Sequence, residues 1–163
     1  MARRTQLTAL AVVAAAGVIW LWQGRASPQE KQIRRRIADF TAEFNSATPD
    51  GLGIAARAAR LGQFFTSDAV VELGRGSTAI HGRDTLMGMA ARLQPRTADV
   101  TLELTDVNVE MVDEARAAIR LTVVTRRHDA GEESLDAREF VAEMQYLDGD
   151  WRASRVAAVD TFR

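Results

Sequence analysis

The spacing of apolar residues changes once along this chain, at Pro95, and that change limits the folds open to it. In residues 33–44 and 54–65, apolar side chains recur at intervals of three and four residues, which places them on one face of an α-helix. In residues 100–111 they alternate with polar residues, as in a strand with one buried face. Helices followed by long strands predict an α+β fold.

Three helices are expected before Pro95. The first begins at Pro28, because proline suits the first helical turn after a cap such as Ser27. Its apolar stripe consists of Ile33, Ile37, Phe40 and Phe44. The second follows the cap and proline at residues 48–50, and the third spans residues 83–93.

Two short strands, at residues 69–73 and 78–80, are expected between the second and third helices, and a meander of long strands is expected after Pro95. Within residues 100–111 the apolar phase slips by one at Thr105–Asp106, which predicts a β-bulge that bends the strand. Asp148–Gly149 predicts a tight hairpin turn. We therefore expect three helices packed on a curved antiparallel sheet, enclosing a cone whose open end is a natural pocket.

An uncharged apolar run precedes the first helix. Its 16 residues, 7–22, lie between the length of a signal-peptide core and that of a spanning helix, so a retained anchor and a cleaved signal both fit. Tryptophans at the end of the run favour an anchor, because indole rings prefer the membrane interface. Gly24 and Ala26 instead have the spacing that signal peptidase requires. The residues expected to anchor the chain are Leu7, Val13, Val18, Trp20 and Trp22.

The expected organisation has four parts. Residues 1–6 are a short tail, residues 7–23 a transmembrane helix or an uncleaved signal, residues 24–29 a linker, and residues 30–163 one globular domain. Basic residues lie on both sides of the apolar run, so their count does not set the orientation. Because the preceding tail is short, we expect a single-pass inner-membrane protein with a periplasmic domain.

Composition argues against several classes of function. The formal net charge is −1, which gives no general attraction to nucleic acid. The absence of cysteine excludes disulfides, thiolate metal sites and a cysteine nucleophile. Two histidines 47 positions apart do not have the spacing of metal ligands. We therefore expect no metal, no cofactor and no nucleic-acid partner.

Three segments, in this order, resemble the nuclear transport factor 2-like superfamily and especially its SnoaL-like branch. They are FFTSDAVV at residues 64–71, IHGRD at 80–84 and LDGDWR at 147–152. The resemblance covers residues 30–160 and implies the cone-shaped α+β fold. The superfamily contains isomerases, dehydratases, cyclases, and transport and assembly factors, so resemblance to it does not choose a function.

One branch of that superfamily, ketosteroid isomerase, can be compared residue by residue. There a general base follows a segment like Asp-Ala-x-Val-Glu, and a tyrosine and a protonated aspartate donate to the oxyanion. The matching positions in this chain are Leu73, Phe40 and Ala142. None of these side chains accepts or donates a proton, so the resemblance implies that isomerase chemistry of that design is absent.

Four titratable residues remain candidates for catalysis. His81 lies where a strand meets a helix, near the expected mouth of the cone, with Glu72 or Asp84 as a partner for general acid–base work. The other interpretation of His81 is a loop residue that hydrogen-bonds the start of the next helix. Glu139 shares a strand face with Val141, so it points either into a cavity or onto a solvated face of the sheet.

The expected function follows from the anchor and the apolar isomerase positions. The predicted pocket residues are Phe40, Phe44, Phe65, Leu73, Phe140, Ala142 and Trp151. We expect a membrane-tethered, non-catalytic domain that is either an accessory subunit of a membrane assembly or a binder of a small hydrophobic ligand. Its expected partners are membrane lipid and a second copy or a larger membrane complex. The alternative is a SnoaL-like enzyme of isomerase, dehydratase or cyclase type acting on a small hydrophobic substrate.

Overall fold

A computed structural model of the chain describes residues 27–46, 52–74, 76–93, 100–129 and 132–159. The chain divides into two compact units, residues 1–31 and 32–163. In the first unit, Ser27 caps a helix, because its Oγ accepts the N–H of Glu30 at 3.1 Å. All the strands lie in the second unit.

The described residues form three helices and six strands. The helices are α1 (Pro28–Asn45), α2 (Leu52–Gly62) and α3 (Arg83–Leu93). The strands are β1 (Phe65–Glu72), β2 (Ile80–His81), β3 (Val100–Met111), β4 (Arg116–Asp129), β5 (Glu132–Leu147) and β6 (Asp150–Ala158). This order confirms the α+β prediction.

The six strands form one sheet in the order β2-β1-β6-β5-β4-β3. Neighbouring strands are antiparallel except β1 and β6, which are parallel. The expectation of a wholly antiparallel sheet is therefore wrong at this pair. Parallel neighbours need a crossover connection, and here α3 and the strands β2 to β5 all lie between them in sequence. No local pattern of residues predicts such a pairing.

The first two strands differ from the predicted 69–73 and 78–80. β1 begins at Phe65, because β6 runs beside it and pairs Ala153 with that residue. β2 is shorter and later than predicted, since only Ile80 and His81 pair with β1. Turn residues before Ile80 therefore do not join the sheet.

The predicted bulge and the predicted hairpin are both confirmed. The register between β3 and β4 shifts between Thr105 and Asn108, and Asp106 has a φ of 50°. At the β5–β6 turn, Asp148 has a φ of 52° and Gly149 a φ of 87°. Two successive left-handed residues make a type I′ turn, whose twist matches that of the strands it joins.

The core lies between α1 and one face of the sheet. Its buried members are Ile33, Ala117, Ile119, Leu121, Met144 and Trp151. The end of α1 is attached to the edge strand β3 through Asn45, whose Nδ2 donates to the carbonyl of Leu102 at 2.7 Å. Its Oδ1 accepts the N–H of the same residue at 2.8 Å. One side-chain amide thus satisfies two backbone groups that an edge strand otherwise leaves unpaired.

The predicted membrane anchor, residues 7–23, lies outside the described residues. Among the residues that are described, no helix is long and apolar enough to cross a membrane. The predicted linker, residues 24–29, overlaps the start of α1. Pro28 accounts for this overlap, because its fixed φ suits the first position of a helix.

Helices α2 and α3 meet closely at Gly62, which yields a matched pair of substitutions. A Cβ on Gly62 would lie 2.7 Å from Cγ of Met87 and closer still to its Sδ, whereas a Cβ on Gly88 would have nothing within 4 Å. We expect Gly62→Ala to lower the free energy of unfolding by about 1–3 kcal/mol through overpacking. Gly88→Ala should raise it by about 0.5–1 kcal/mol, because alanine favours a helix interior. Denaturant titration measures both, and a Gly62→Ala variant as stable as Gly88→Ala would contradict the close packing.

Candidate functional site

A cavity of about 160 Å³ lies between α1 and the face of the sheet that carries the core. Its lining is apolar apart from the side chain of Arg36. Helix α1 contributes Ile37 and Phe40, and the turn into β1 contributes Phe64. The sheet contributes Phe65, Leu104, Ile119, Leu121, Val123, Phe140, Ala142, Met144, Ala153 and Val156.

The period of two along β4 and β5 builds the sheet side of the cavity. Leu121 lies opposite Phe140 in the ladder, and Ile119 lies opposite Ala142. Directly opposed residues have their side chains on the same face, so these four side chains form one apolar surface. Residues between them along each strand face the other side of the sheet.

Four phenylalanines meet where α1 crosses the start of β1, with Phe40 at their centre. Its ring lies 5.3 Å from that of Phe64 and 6.1 Å from that of Phe65, both edge-on. The ring of Phe44 lies 6.4 Å away at a tilt of 37°. Edge-to-face pairs of this kind are favourable beyond the area they bury. Phe40 therefore fixes the positions of its neighbours as well as lining the cavity.

Arg36 contributes its stem to the cavity wall but not a free charge. Its Nε donates to the carbonyl of Trp151 at 3.3 Å, and its Nη2 donates to the carbonyl of Gln63 at 2.9 Å. Its Cζ lies 4.1 Å from the centroid of the Phe64 ring, within the range of a cation–π contact. The guanidinium is therefore held by backbone carbonyls and an aromatic face.

The structure places four of the predicted pocket residues in the cavity wall: Phe40, Phe65, Phe140 and Ala142. Phe44 contacts the ring of Phe40 without lining the cavity. Trp151 is 2% exposed and belongs to the core. Leu73 is 46% exposed, since it follows the last residue of β1 and the strand no longer fixes its side.

Sequence reasoning did not find the part played by Arg36 or by most of the wall that β4 supplies. The alternation of residues 117–123 indicates a buried face on β4. Ile119, Leu121 and Val123 could therefore have been predicted as wall residues from that pattern. No signal was available for Arg36. Its neighbours Arg34 and Arg35 are exposed, and the run of three arginines is typical of a hydrated helix surface.

The four catalytic candidates lie outside the cavity wall. His81 is an exposed residue of β2 opposite Val70, and Asp84 is exposed in the first turn of α3. Within the described residues, no hydrogen bond or ion pair joins His81 to a carboxylate. Glu72 instead pairs with an arginine of β6, and Glu139 pairs with an arginine of β4.

The carboxylates of Glu72 and Glu139 are both engaged in ion pairs. Glu72 Oε1 accepts a hydrogen bond from Arg155 Nη2 at 2.8 Å, and Glu139 Oε1 lies 3.2 Å from Arg120 Nη1. Since Phe140 lines the cavity, the alternation of β5 turns Glu139 to the opposite face. Of the two orientations left open for Glu139, the structure therefore shows the solvated sheet face.

Two of the three positions matched to ketosteroid isomerase do border the cavity. Phe40 and Ala142 line it, whereas Leu73 does not. An enzyme of that design would carry its hydrogen-bond donors at the first two positions. This chain presents an aromatic ring and a methyl group there.

Asp113 has an altered pKa for structural reasons. The N–H of Ala115 donates to its Oδ1 at 2.9 Å, and Arg116 Nε donates to its Oδ2 at 2.7 Å. These bonds favour the charged form and hold the pKa of the carboxyl below its usual value. Asp113 lies in the β3–β4 turn and does not line the cavity. In the described part of the chain, no cluster of three or more potential metal ligands occurs.

The sequence matches the SnoaL-like domain family over residues 29–157, which is most of its length. The chain belongs to the SnoaL-like domain family. This membership agrees with the cone-fold resemblance drawn from the sequence. Among curated proteins, none matches the sequence significantly.

Solved structures share the fold of this SnoaL-like domain. A scytalone dehydratase-like protein from Novosphingobium aromaticivorans is 15% identical, with a TM-score of 0.64 over 82% of this chain and 85% of that one. An NTF2-like protein with a cystatin-like fold from the same organism is 19% identical, with a TM-score of 0.61 over 88% and 86%. A ketosteroid isomerase-like protein from Erwinia carotovora is 15% identical, with a TM-score of 0.59 over 83% and 99%. At these identities the likeness shows the fold alone.

The central position of Phe40 in the aromatic group yields a stability prediction. We expect Phe40→Ala to lower the free energy of unfolding by about 3–5 kcal/mol, because it removes a ring that three others contact and leaves a larger void. Phe44→Ala is the comparison, since that ring contacts Phe40 and does not line the cavity. Its cost should be clearly smaller. Denaturant unfolding measures the free energy of unfolding of both variants, and equal decreases would show that Phe40 has no central role.

Proposed function

We propose that this SnoaL-like domain binds a small, uncharged apolar molecule in the cavity beneath α1 and holds it without changing it chemically. The observation that supports this proposal is the composition of the wall. General acid–base catalysis needs a titratable group within about 2.6–3.2 Å of the reacting atom. Among the described residues, the wall contains no carboxylate, histidine, tyrosine or lysine.

The size of the cavity indicates the size of the ligand. Apolar cavities of about 150 Å³ lined by Leu, Ile and Phe stay dry and bind benzene. The cavity here has a volume of about 160 Å³ and a similar lining. A ligand with a hydroxyl or carboxylate would lose its hydration without gaining a partner in this wall, which costs free energy. We therefore infer that the part of the ligand buried in this cavity is about one ring in size and carries no charge.

Benzene is a suitable probe of this proposal, and Ala153→Leu is a variant that fills the cavity. Ala153 lines the cavity, whereas Ala157, on the same strand, does not. We expect benzene to raise the thermal midpoint of the unmodified chain, because a ligand that binds only the native state stabilises it. Ala153→Leu should abolish that shift, since leucine occupies the ligand volume. Ala157→Leu should preserve it.

Two different results would contradict the proposed ligand binding. If benzene raised the thermal midpoint equally in Ala153→Leu and Ala157→Leu, binding would lie elsewhere and the proposal would be contradicted. Turnover of a small hydrophobic substrate that is lost in His81→Ala would also contradict it, because His81 is the strongest of the acid–base candidates. Such a result would favour the alternative of a SnoaL-like enzyme.

We further propose that residues 7–23 hold the domain at the inner membrane, with the domain in the periplasm. The support for this comes from the sequence: an uncharged run of 16 residues that ends in two tryptophans. A tethered binder of this kind would take an apolar ligand from, or deliver it to, the lipid phase or a membrane-bound partner.

A charge placed in the apolar run tests the anchor. We expect Val13→Arg to move the chain from the membrane fraction to the soluble fraction after an alkaline wash, because an arginine at a helix centre opposes insertion by about 2.5–3.5 kcal/mol. Val112→Arg adds the same charge at a residue of the domain that is 59% exposed, and should leave the chain membrane-bound. A mature chain whose mass lacks residues 1–26 would instead show a cleaved signal.

A further inference from the structure

A second depression, here called the edge groove, adjoins the cavity along the free edge of β3. Its volume is about 480 Å³. Ile37 and Leu104 line the edge groove and also line the cavity. The other lining residues are Arg34, Ala38, Thr41, Ala42 and Asn45 on α1, and Glu103 and Val107 on β3. The cavity and the edge groove therefore meet at Ile37 and Leu104, both of which are half-buried.

Leu104 belongs to both spaces because its side chain and its backbone point to different places. It lies opposite Val123 in the ladder, and both residues line the cavity, so its side chain is on the cavity face. Its N–H and C=O groups lie along the free edge, because Leu102, two residues earlier in the same register, has its N–H and C=O bonded to Asn45 there. The distance from the cavity to these backbone groups is therefore about the length of one side chain.

Two side chains of α1 bind the edge on either side of Leu104. Asn45 binds Leu102, and Arg34 Nη1 donates to the carbonyl of Val107 at 2.9 Å. Among the described residues, no hydrogen bond occupies the edge-facing N–H and C=O of Leu104. Addition of a protein strand requires a continuous row of such groups, and Asn45 and Arg34 interrupt the row. The pair of groups on Leu104 therefore suits one small polar group.

The contact between Asn45 and Leu102 shows which polar group fits such a pair. A primary carboxamide carries an acceptor and a donor side by side. That of Asn45 binds the N–H and the C=O of one residue at 2.8 and 2.7 Å. A carboxylate has no donor, and its charge would lie against the carbonyl oxygen of Leu104. The pair on Leu104 is therefore matched by a second primary carboxamide.

We propose that the ligand of this domain is a neutral primary carboxamide with an apolar end of about one ring in size. The apolar end lies in the cavity, and the carboxamide lies in the edge groove and binds the N–H and C=O of Leu104. This inference rests on the proposed function, because it takes the apolar end to occupy the cavity. A short chain joins the two parts, since Leu104 itself spans the distance between the cavity and its own backbone groups.

Three probes that share a benzene ring and a chain of equal length test the carboxamide: phenylbutanamide, phenylbutanoate and butylbenzene. We expect phenylbutanamide to bind the full chain about tenfold more tightly than butylbenzene, because its two added hydrogen bonds together change a dissociation constant by about that factor. Phenylbutanoate should bind more weakly than the amide, since it has no donor for the carbonyl of Leu104. In the NMR spectrum, the amide proton of Leu104 should shift downfield with phenylbutanamide and not with butylbenzene.

Leucine substitutions test where the probe lies. Ala42 is exposed and lines the edge groove but not the cavity. Ala42→Leu should weaken the binding of phenylbutanamide about tenfold and leave that of benzene unchanged, because the added side chain occupies only the groove. Gln32→Leu is the matched control, since Gln32 is an exposed residue of α1 that lines neither space. Ala153→Leu, which fills the cavity, should weaken the binding of both probes.

Four results would overturn these claims. Equal affinities for phenylbutanamide and butylbenzene, with benzene still bound, would overturn recognition of the carboxamide and leave the proposed function intact. Phenylbutanoate that bound as tightly as phenylbutanamide would also overturn it, because a carboxylate cannot donate to Leu104. Unchanged binding of phenylbutanamide in Ala42→Leu would overturn the use of the edge groove. Failure of benzene to bind the unmodified chain would overturn the proposed function itself.

Discussion

The packing of one face of α1 against β4, β5 and β6 is the interaction on which the rest of the domain depends. Ile33 is fully buried at its centre, among side chains of all three strands. Burial of a side chain of this size stabilises the native state by about 1.5–3 kcal/mol. Further along the same helix, Ile37 and Phe40 border the apolar cavity that lies between α1 and the sheet.

This packing also decides where polar groups can lie. A strand residue that faces the helix is surrounded by apolar side chains, and an unpaired polar group there would cost free energy. The carboxylates of Glu72 and Glu139 accordingly lie on the other face, paired with Arg155 and Arg120 respectively. Those arginine side chains are more than half exposed, and exposed ion pairs contribute only about 0–1 kcal/mol each. The charged face keeps the sheet hydrated, while stability comes from the apolar face.

The sequence allowed the features that depend on local spacing to be predicted. The helix at 83–93, the bulge near Asp106 and the turn at Asp148–Gly149 each follow from a few adjacent residues. The parallel pairing of β1 with β6 was not predictable, because it joins segments far apart in the chain. The part that Arg36 plays in the cavity wall was not predictable for the same reason, because the carbonyls that accept its hydrogen bonds are 27 and 115 positions away. The two-residue alternation along a strand predicts that Glu139 and Phe140 face opposite sides of the sheet. Only the position of α1 shows which of those two faces lines the cavity.

A fold shared with dehydratase-like and isomerase-like proteins supplies a cavity and leaves its chemistry to a few side chains. In this chain the two cavity positions matched to isomerase donors carry Phe40 and Ala142. Replacing donors by a ring and a methyl group removes the polar groups that would stabilise a developing charge, and the result is a wall suited to burying apolar surface. Arg36 fits the same logic, because its donors are directed to backbone carbonyls and only its stem meets the cavity. In the proposed ligand-binding function, such a wall distinguishes ligands by their size and by the absence of charge, so recognition depends on which molecules the cavity excludes.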